Sequence, residues 1–304
     1  MKTRTAFVCV VSALAVSGAA ALAQGPAAPE YSVNSKLVLV PVTVTDRNGA
    51  FINGLSRDAF TVSEDGVKQQ IRSFSVDEAP VSIGIVLDTS GSMKDLLPVA
   101  RESLRTFAAM SAPADEAFLS TVSTRPRVRS GFTGDLDGLV SNAAFEGAAG
   151  STALIDTIWV SLDQLRSAKN ARKALLVLSD GIDNHSRHTR GELLERASEA
   201  DVQIYTISLN DPPRYARGVA LVEYQHGLQL MQDLASRTGG LEFDVRGRGD
   251  VDQAVTGVSQ ALRNEYNIGY VPPNADRSGK FRRIQVKVAR AGLKAHARTG
   301  YRLD

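Results

Sequence analysis

Val81-Ser-Ile-Gly-Ile-Val-Leu-Asp88-Thr-Ser-Gly-Ser92 is the stretch on which the reading of this chain turns. The run from Val81 to Leu87 is apolar enough for a strand covered on both faces, as strands of parallel sheets are. Directly after it come one carboxylate and two hydroxyls at alternate positions: Asp88, Ser90 and Ser92. These are hard oxygen donors, suited to Mg²⁺ or Ca²⁺ rather than to zinc or copper. They also stand at the carboxyl end of a strand, where open α/β sheets place their ligands.

Downstream, strand and helix patterns alternate. Leu96–Met110 has apolar residues at helical spacing, and Ala117–Val122 and Val128–Phe132 read as strands. Residues 153–165 read as a helix, Ala174–Leu178 as a second fully apolar strand, and Val202–Leu209 as a third. Thr189-Arg-Gly-Glu192 is a capping box that opens a helix. Leu228–Ser236 reads as a helix stopped by Gly239-Gly240, then come a strand at Leu241–Val245 and a helix from an Asp250 cap to about Leu262. This alternation predicts an α/β fold, a doubly wound, mainly parallel sheet with helices on both faces.

The flanks read differently. Lys36–Asp46 alternates as a strand, with Pro41 expected at an edge or bulge and a turn at Arg47-Asn48-Gly49. Short strands at 60–63 and 69–76 surround Glu64-Asp65-Gly66, and strands at 266–271, 281–289 and 295–301 follow the α/β block. The expected organisation is therefore a signal peptide at 1–23, a disordered lead at 24–35, a β segment at 36–78, the α/β domain at 79–263, and a β segment at 264–304. The last pairs with 36–78 into a small antiparallel β domain. The leader has a basic start at Lys2 and Arg4, a short apolar run and Ala21-Leu22-Ala23 before Gln24. It predicts an exported protein, periplasmic or secreted, with no integral membrane segment once the leader is removed. Removal takes away the only cysteine, Cys9, and brings the formal net charge from +2 to zero. That leaves neither a disulfide nor thiol chemistry, and no charge argument for nucleic acid.

Two further stretches complete the first one. Gly150-Ser151-Thr152 precedes a helix, and Ser179-Asp180-Gly181 follows the strand Ala174–Leu178. In a doubly wound sheet, the carboxyl ends of these strands share one edge, so Asp88, Ser90, Ser92, Thr152 and Asp180 can converge from three loops. Two carboxylates and three hydroxyls fall short of the six or more oxygens such a cation takes. Waters fill the remainder, and one position is open to an external carboxylate. Asp183 and Asn184 are expected either as support behind Asp180 or as loop-shaping residues.

In order and context, Asp88-Thr-Ser-Gly-Ser92, Thr152 and Asp180-Gly181 resemble the metal-ion-dependent adhesion site of von Willebrand factor type A domains, over about residues 79–263. The flanks resemble those of secreted bacterial proteins of the same kind, through Val42-Thr-Val-Thr-Asp46-Arg-Asn-Gly49, Ser63-Glu-Asp-Gly66, Tyr266-Asn-Ile-Gly-Tyr270 and Arg298-Thr-Gly-Tyr301. The resemblance implies a metal-assisted protein-binding or adhesion module, not an enzyme. It implies Mg²⁺, with Mn²⁺ or Ca²⁺ as alternatives, held by Asp88, Ser90, Ser92, Thr152 and Asp180. The expected partner is a protein or peptide offering a carboxylate, and the expected state is a monomer. An envelope scaffold with a structural metal, and a hydrolase, stand as alternatives.

Other features carry less. A Ser–His–Asp arrangement from Ser90 or Ser92, His185 and Asp180 can be drawn, but no G-x-S-x-G elbow accompanies it. Arg248-Gly249-Asp250 is a lone tripeptide match. The long connection after Leu209 places Arg214, Tyr215 and Arg217 on the metal edge as candidate partner contacts, Arg and Tyr being frequent hot-spot residues.

Overall fold

The computed structural model describes residues 37–76, 79–143, 150–209, 218–245, 250–272 and 279–302. The expected leader and lead, and the expected partner contacts Arg214, Tyr215 and Arg217, lie outside the described residues. Among the described residues no helix is long and apolar enough to cross a membrane. The described residues belong to one compact unit.

The N-terminal flank forms β1 (Val38–Thr45), β2 (Phe60–Glu64), β3 (Val67–Gln69) and β4 (Ile71–Ser75). The chain then enters β5 (Val81–Asp88), β6 (Glu116–Val122), β7 (Arg127–Val128), β8 (Arg172–Ser179), β9 (Gln203–Leu209) and β10 (Glu242–Val245). These six make one sheet in the order β10-β9-β8-β5-β6-β7, parallel except for the β6–β7 pair. Counted from β5, the first three strands run outward one way and the next three the other. This is the doubly wound order, and its switch point falls between β5 and β8.

Helices cover both faces. On one, α1 (Leu97–Ala109), α2 (Leu136–Ala143) and α6 (Val251–Arg263) bury Leu104, Leu139 and Val258 against Ile83, Ile85 and Leu87. On the other, α3 (Leu154–Gln164), α4 (Arg190–Glu199) and α5 (Val219–Thr238) bury Ile158, Leu193 and Met231 against Val86, Phe118 and Val177. Odd and even side chains of β5 thus serve two cores, which is why its whole length is buried. The capping box at Thr189 and Glu192 is formed in both directions, and Gly239 ends α5 in the left-handed region at φ 85°.

The C-terminal flank supplies β11 (Glu265–Tyr270), β12 (Phe281–Val288), β13 (Lys294–Ala297) and β14 (Gly300–Arg302). With the N-terminal strands they build two four-stranded antiparallel sheets, β13-β1-β11-β4 and β14-β12-β2-β3. Val40, Val42, Phe60, Val62, Tyr266 and Ile268 from the two sheets share one core. Three of the flank motifs meet inside it: the hydroxyls of Tyr270 and Tyr301 both donate to Glu64 Oε2, at 2.6 and 2.8 Å. At the joint with the α/β unit, Arg172 donates to the carbonyls of Ala79 and Leu262 and pairs with the buried Glu265 at 2.5 Å. Tyr205 donates to the same carboxylate at 3.0 Å. One guanidinium therefore ties together the chain's way into the α/β unit and its way out.

Several sequence readings need correction. Pro41 lies in an inner strand, but at a place where only β11 pairs with it, because β13 stops opposite Val42. The strand read at 128–132 shrinks to Arg127–Val128, followed by single bonds such as Arg129 N to Leu119 O. Helix α2 went unread. The helix read from Leu228 starts at Val219, about two and a half turns earlier; Gly227 broke its apolar pattern for a reason given below. The strand read over 295–301 splits at Arg298-Thr299, where Thr299 N bonds to Arg237 O and the chain passes from one sheet to the other. Asp250 precedes α6, but its side chain makes no capping bond.

Candidate functional site

Asp88 closes β5 and Asp180 follows β8, so both flank the switch point of the sheet. Asp88 is fully buried and Asp180 is 8% exposed. Asp88 Oδ1 accepts from Ser90 N at 2.8 Å, and its Oδ2 accepts from Ser179 Oγ at 2.5 Å. Ser90 Oγ stands 3.0 Å from Ser92 Oγ, and the Ser92 hydroxyl lies near enough to Asp180 to favour its charged form. Asp180 Oδ1 also accepts from Ile182 N at 3.0 Å. Asp88, Ser90, Ser92 and Asp180 therefore form one continuous chain of oxygens.

Thr152, 4% exposed, stands two residues before α3. Its loop abuts the serine loop: a Cβ added to Gly91 would meet the Gly150 carbonyl oxygen at 3.9 Å. It is also stitched to the Asp180 loop. Asn184 Oδ1 accepts from Thr152 N at 2.9 Å, while Asn184 N and His185 N both donate to Thr152 O at 3.0 Å. The stitching continues along α3. Asp183 Oδ2 accepts from Ile155 N at 2.9 Å, Ser186 Oγ accepts from Asp156 N at 3.0 Å, and the Asp156 carboxylate accepts from Arg187 N and His188 N. Asp183 and Asn184 therefore shape the loop and fix Thr152 to it at the same time.

Some of these roles were not legible in the sequence. Ser179 joins the two acidic loops, donating to Asp88 and accepting from Gly181 N at 3.0 Å; its signal was its place at the end of an apolar strand. Asp156 and Ser186 gave no signal, because their partners lie on another element. Trp159 on α3 is half-buried and packs against the core of its face of the sheet. It stacks on His188 with centroids 4.0 Å apart, and the Arg196 guanidinium lies 4.4 Å from its ring centre. His188 Nδ1 is 2.7 Å from Asp156 Oδ1, and the Ser90 hydroxyl meets Ser92.

The electrostatics of the pair are unbalanced. Burial, and then the nearby Asp180 carboxylate, push the Asp88 carboxyl up to about 6, against bonds from Ser179 and Ser90 that favour its charged form. Burial also raises Asp180, opposed by the Ser92 hydroxyl and the bond from Ile182 N. Asp156 goes the other way: burial raises it, but bonds from Arg187 and His188 outweigh that and hold it below the usual carboxylate range. Among the described residues neither Asp88 nor Asp180 forms an ion pair with Lys, Arg or His. Two buried carboxylates facing each other with no cation suit a small divalent ion. Among the described residues no three His, Cys, Asp or Glu side chains gather to hold a metal by themselves, so a cation here depends on the hydroxyls of Ser90, Ser92 and Thr152.

Helix α5 rests directly on this site. A Cβ on Gly181 (φ 78°) would stand 2.5 Å from the Gly227 carbonyl oxygen, and one on Gly227 would stand 3.0 Å from the Asp180 carbonyl oxygen. Gly227 weakens the helical pattern in the sequence because the helix backbone passes against the backbone that carries Asp180.

No protein-family model matches the chain, and no curated protein matches it significantly. Solved structures align with the chain at low identity and with TM-scores below 0.5. BatB from Bacteroides thetaiotaomicron aligns at 15% identity and a TM-score of 0.47, covering 60% of this chain and 99% of that one. The von Willebrand factor domain of the type V pili tip protein Mfa5 from Porphyromonas gingivalis aligns at 12% and 0.48, covering 60% and 95%. A von Willebrand factor type A protein from Catenulispora acidiphila aligns at 12% and 0.48, covering 90% and 76%. Such similarities speak to no ligand or partner. The doubly wound fold rests on the strand order itself, with Asp88 and Asp180 on either side of its switch point.

Proposed function

We propose that this chain is a metal-ion-dependent protein-binding module of an exported protein. In this reading Mg²⁺, or Mn²⁺ or Ca²⁺ in its place, is held by Asp88, Ser90, Ser92, Thr152 and Asp180, and a partner carboxylate is the ligand. The observation that carries the reading is the buried Asp88–Asp180 pair, which no cationic side chain among the described residues balances. When bound, the cation supplies an open coordination position with a positive charge. The chain's own residues do the rest. Asp88 and Asp180 set the charge, the hydroxyls add donors without adding charge, and the Ser179 and Asn184 bonds hold the three loops in register. Using uncharged donors for three positions leaves the cation less neutralised and so more attractive to an incoming carboxylate. Export is supported by the leader pattern at residues 1–23.

Asp88→Asn tests this reading. It keeps the shape and an acceptor for Ser90 N while removing one charge. Calorimetric titration with Mg²⁺ is expected to show at least a tenfold weaker affinity in the variant than in the wild type. Equal affinities, or no Mg²⁺ binding by either protein, would sink the proposal.

A further inference from the structure

Beside the candidate metal site, a cleft of about 320 Å³ runs between the β8–α4 loop and the first half of α5. Gly181 and Gly227, whose backbones touch one residue from Asp180, both line it. Its floor is apolar, from Ile155, Ile182 and Leu230. Ile155 is three residues past Thr152 and Ile182 two past Asp180, so the floor grows out of the same two loops that carry the site.

The polar groups around the cleft do not cancel. Arg190 faces it, but its guanidinium is taken by Asp233 at 2.6 Å. Asp183 pairs with no cation among the described residues, and its oxygens accept from Ile155 N and Ser186. Glu223 is exposed on α5 at the rim, with no ion pair among the described residues, and His226 stands one turn further along. The cleft is therefore an apolar trough with net negative charge at its edge.

We infer that this cleft is a specificity subsite that takes a lysine or arginine of the partner, close in sequence to the carboxylate that approaches the metal. This rests on the carboxylate reading above and extends it from a single group to a two-point motif. A long basic side chain fits both properties, its methylene stem lying on Ile155, Ile182 and Leu230 while its head stays in water beside Glu223 and Asp183. An aliphatic residue would desolvate those carboxylates without compensation, and an acidic one would be repelled. The neighbouring cation position and the acidic rim thus ask for opposite charges from the partner, which fixes the direction in which it lies.

A displayed random heptapeptide library, selected on the whole protein in Mg²⁺ and eluted with EDTA, tests this. Wild type is expected to recover peptides with Asp or Glu and with Lys or Arg within three residues of it. The Glu223→Lys variant is expected to keep the acidic residue and the EDTA sensitivity but lose the basic neighbour. A synthetic peptide of the recovered pattern should bind Glu223→Gln about three- to tenfold more weakly than wild type, the range of a partly exposed charge pair. Acidic peptides without basic neighbours, or the same basic preference from Glu223→Lys, would overturn the subsite and leave the metal reading standing. Recovery that ignores EDTA, or no recovery of acidic peptides, would overturn both.

Discussion

Replacing Gly181 by alanine probes the link between the Asp180 loop and α5. Two costs add. At φ 78° an alanine sits in the left-handed region, which costs about 1–2 kcal/mol for a residue with a Cβ. That Cβ would also stand 2.5 Å from the Gly227 carbonyl oxygen, so either the loop or the helix must move, an overpacking cost of about 1–3 kcal/mol. Stiffening the unfolded chain returns about 0.4–1 kcal/mol. The expected net loss is about 1–4.6 kcal/mol, with a midpoint of about 3 kcal/mol. Two further variants separate the contact from the backbone angle. Gly227 has ordinary helical angles, where alanine in an open helix gains up to about 1 kcal/mol, yet its Cβ would meet Gly181 C at 2.9 Å. Gly191, on α4, has nothing within 4 Å and should show that gain. Urea unfolding followed by the fluorescence of the only tryptophan, Trp159 on α3, reads the α/β unit directly. Gly181→Ala and Gly227→Ala should unfold earlier than wild type, and Gly191→Ala no earlier. If Gly227→Ala gains stability as Gly191→Ala does, α5 does not rest on the Asp180 loop and the reasoning fails.

Asn184→Ala removes the acceptor for Thr152 N and should weaken Mg²⁺ binding by about 10–100-fold while leaving the circular dichroism spectrum unchanged; an unaltered titration would show that Thr152 needs no such hold. His296 on β13 gives a pH test. Burial, and then Lys294, lower its imidazole to about 4, while in the unfolded chain it titrates near 6.5. The unfolded chain therefore takes up a proton first as pH falls, so this contribution is complete above pH 6.5 and is lost between 6.5 and 4. Allowing for a ring that is partly open to water, His296→Gln should flatten the fall in denaturant stability between pH 7 and 4.5 by about 1–2 kcal/mol; identical falls in variant and wild type would refute it.

The sheet, and the candidate residues at its edge, were legible in the sequence for the same physical reason. A strand buried on both faces must be apolar along its length, so polar residues at its end stand out, as Asp88 and Asp180 do. The capping box at Thr189 was legible because it is local. What stayed hidden was set by partners distant in sequence. Asp156 looks like any helical acid until Arg187 and His188 come to lie against it, and Ser179 looks like a turn residue until Asp88 comes within 2.5 Å. The start of α5 was missed because Gly227 serves a contact with Gly181 rather than its own helix. The strand at 295–301 was read as one because alternation continues through Arg298-Thr299, while its two halves pair in different sheets.

The way the chain enters and leaves the α/β unit has a mechanical consequence. It leaves the sandwich after β4 and returns into β11, and these two strands are direct neighbours, with Asn267 opposite Ser75. Tension that arrives through β1 and departs through β14 can pass across the ladders of the sandwich. The α/β unit then hangs beside the load path, its two connections held to the same arginine. The sheet edge that holds Asp88 and Asp180, carried in this way, keeps its shape under pull for as long as the two flanking sheets hold, and feels the force only after β4 and β11 have parted.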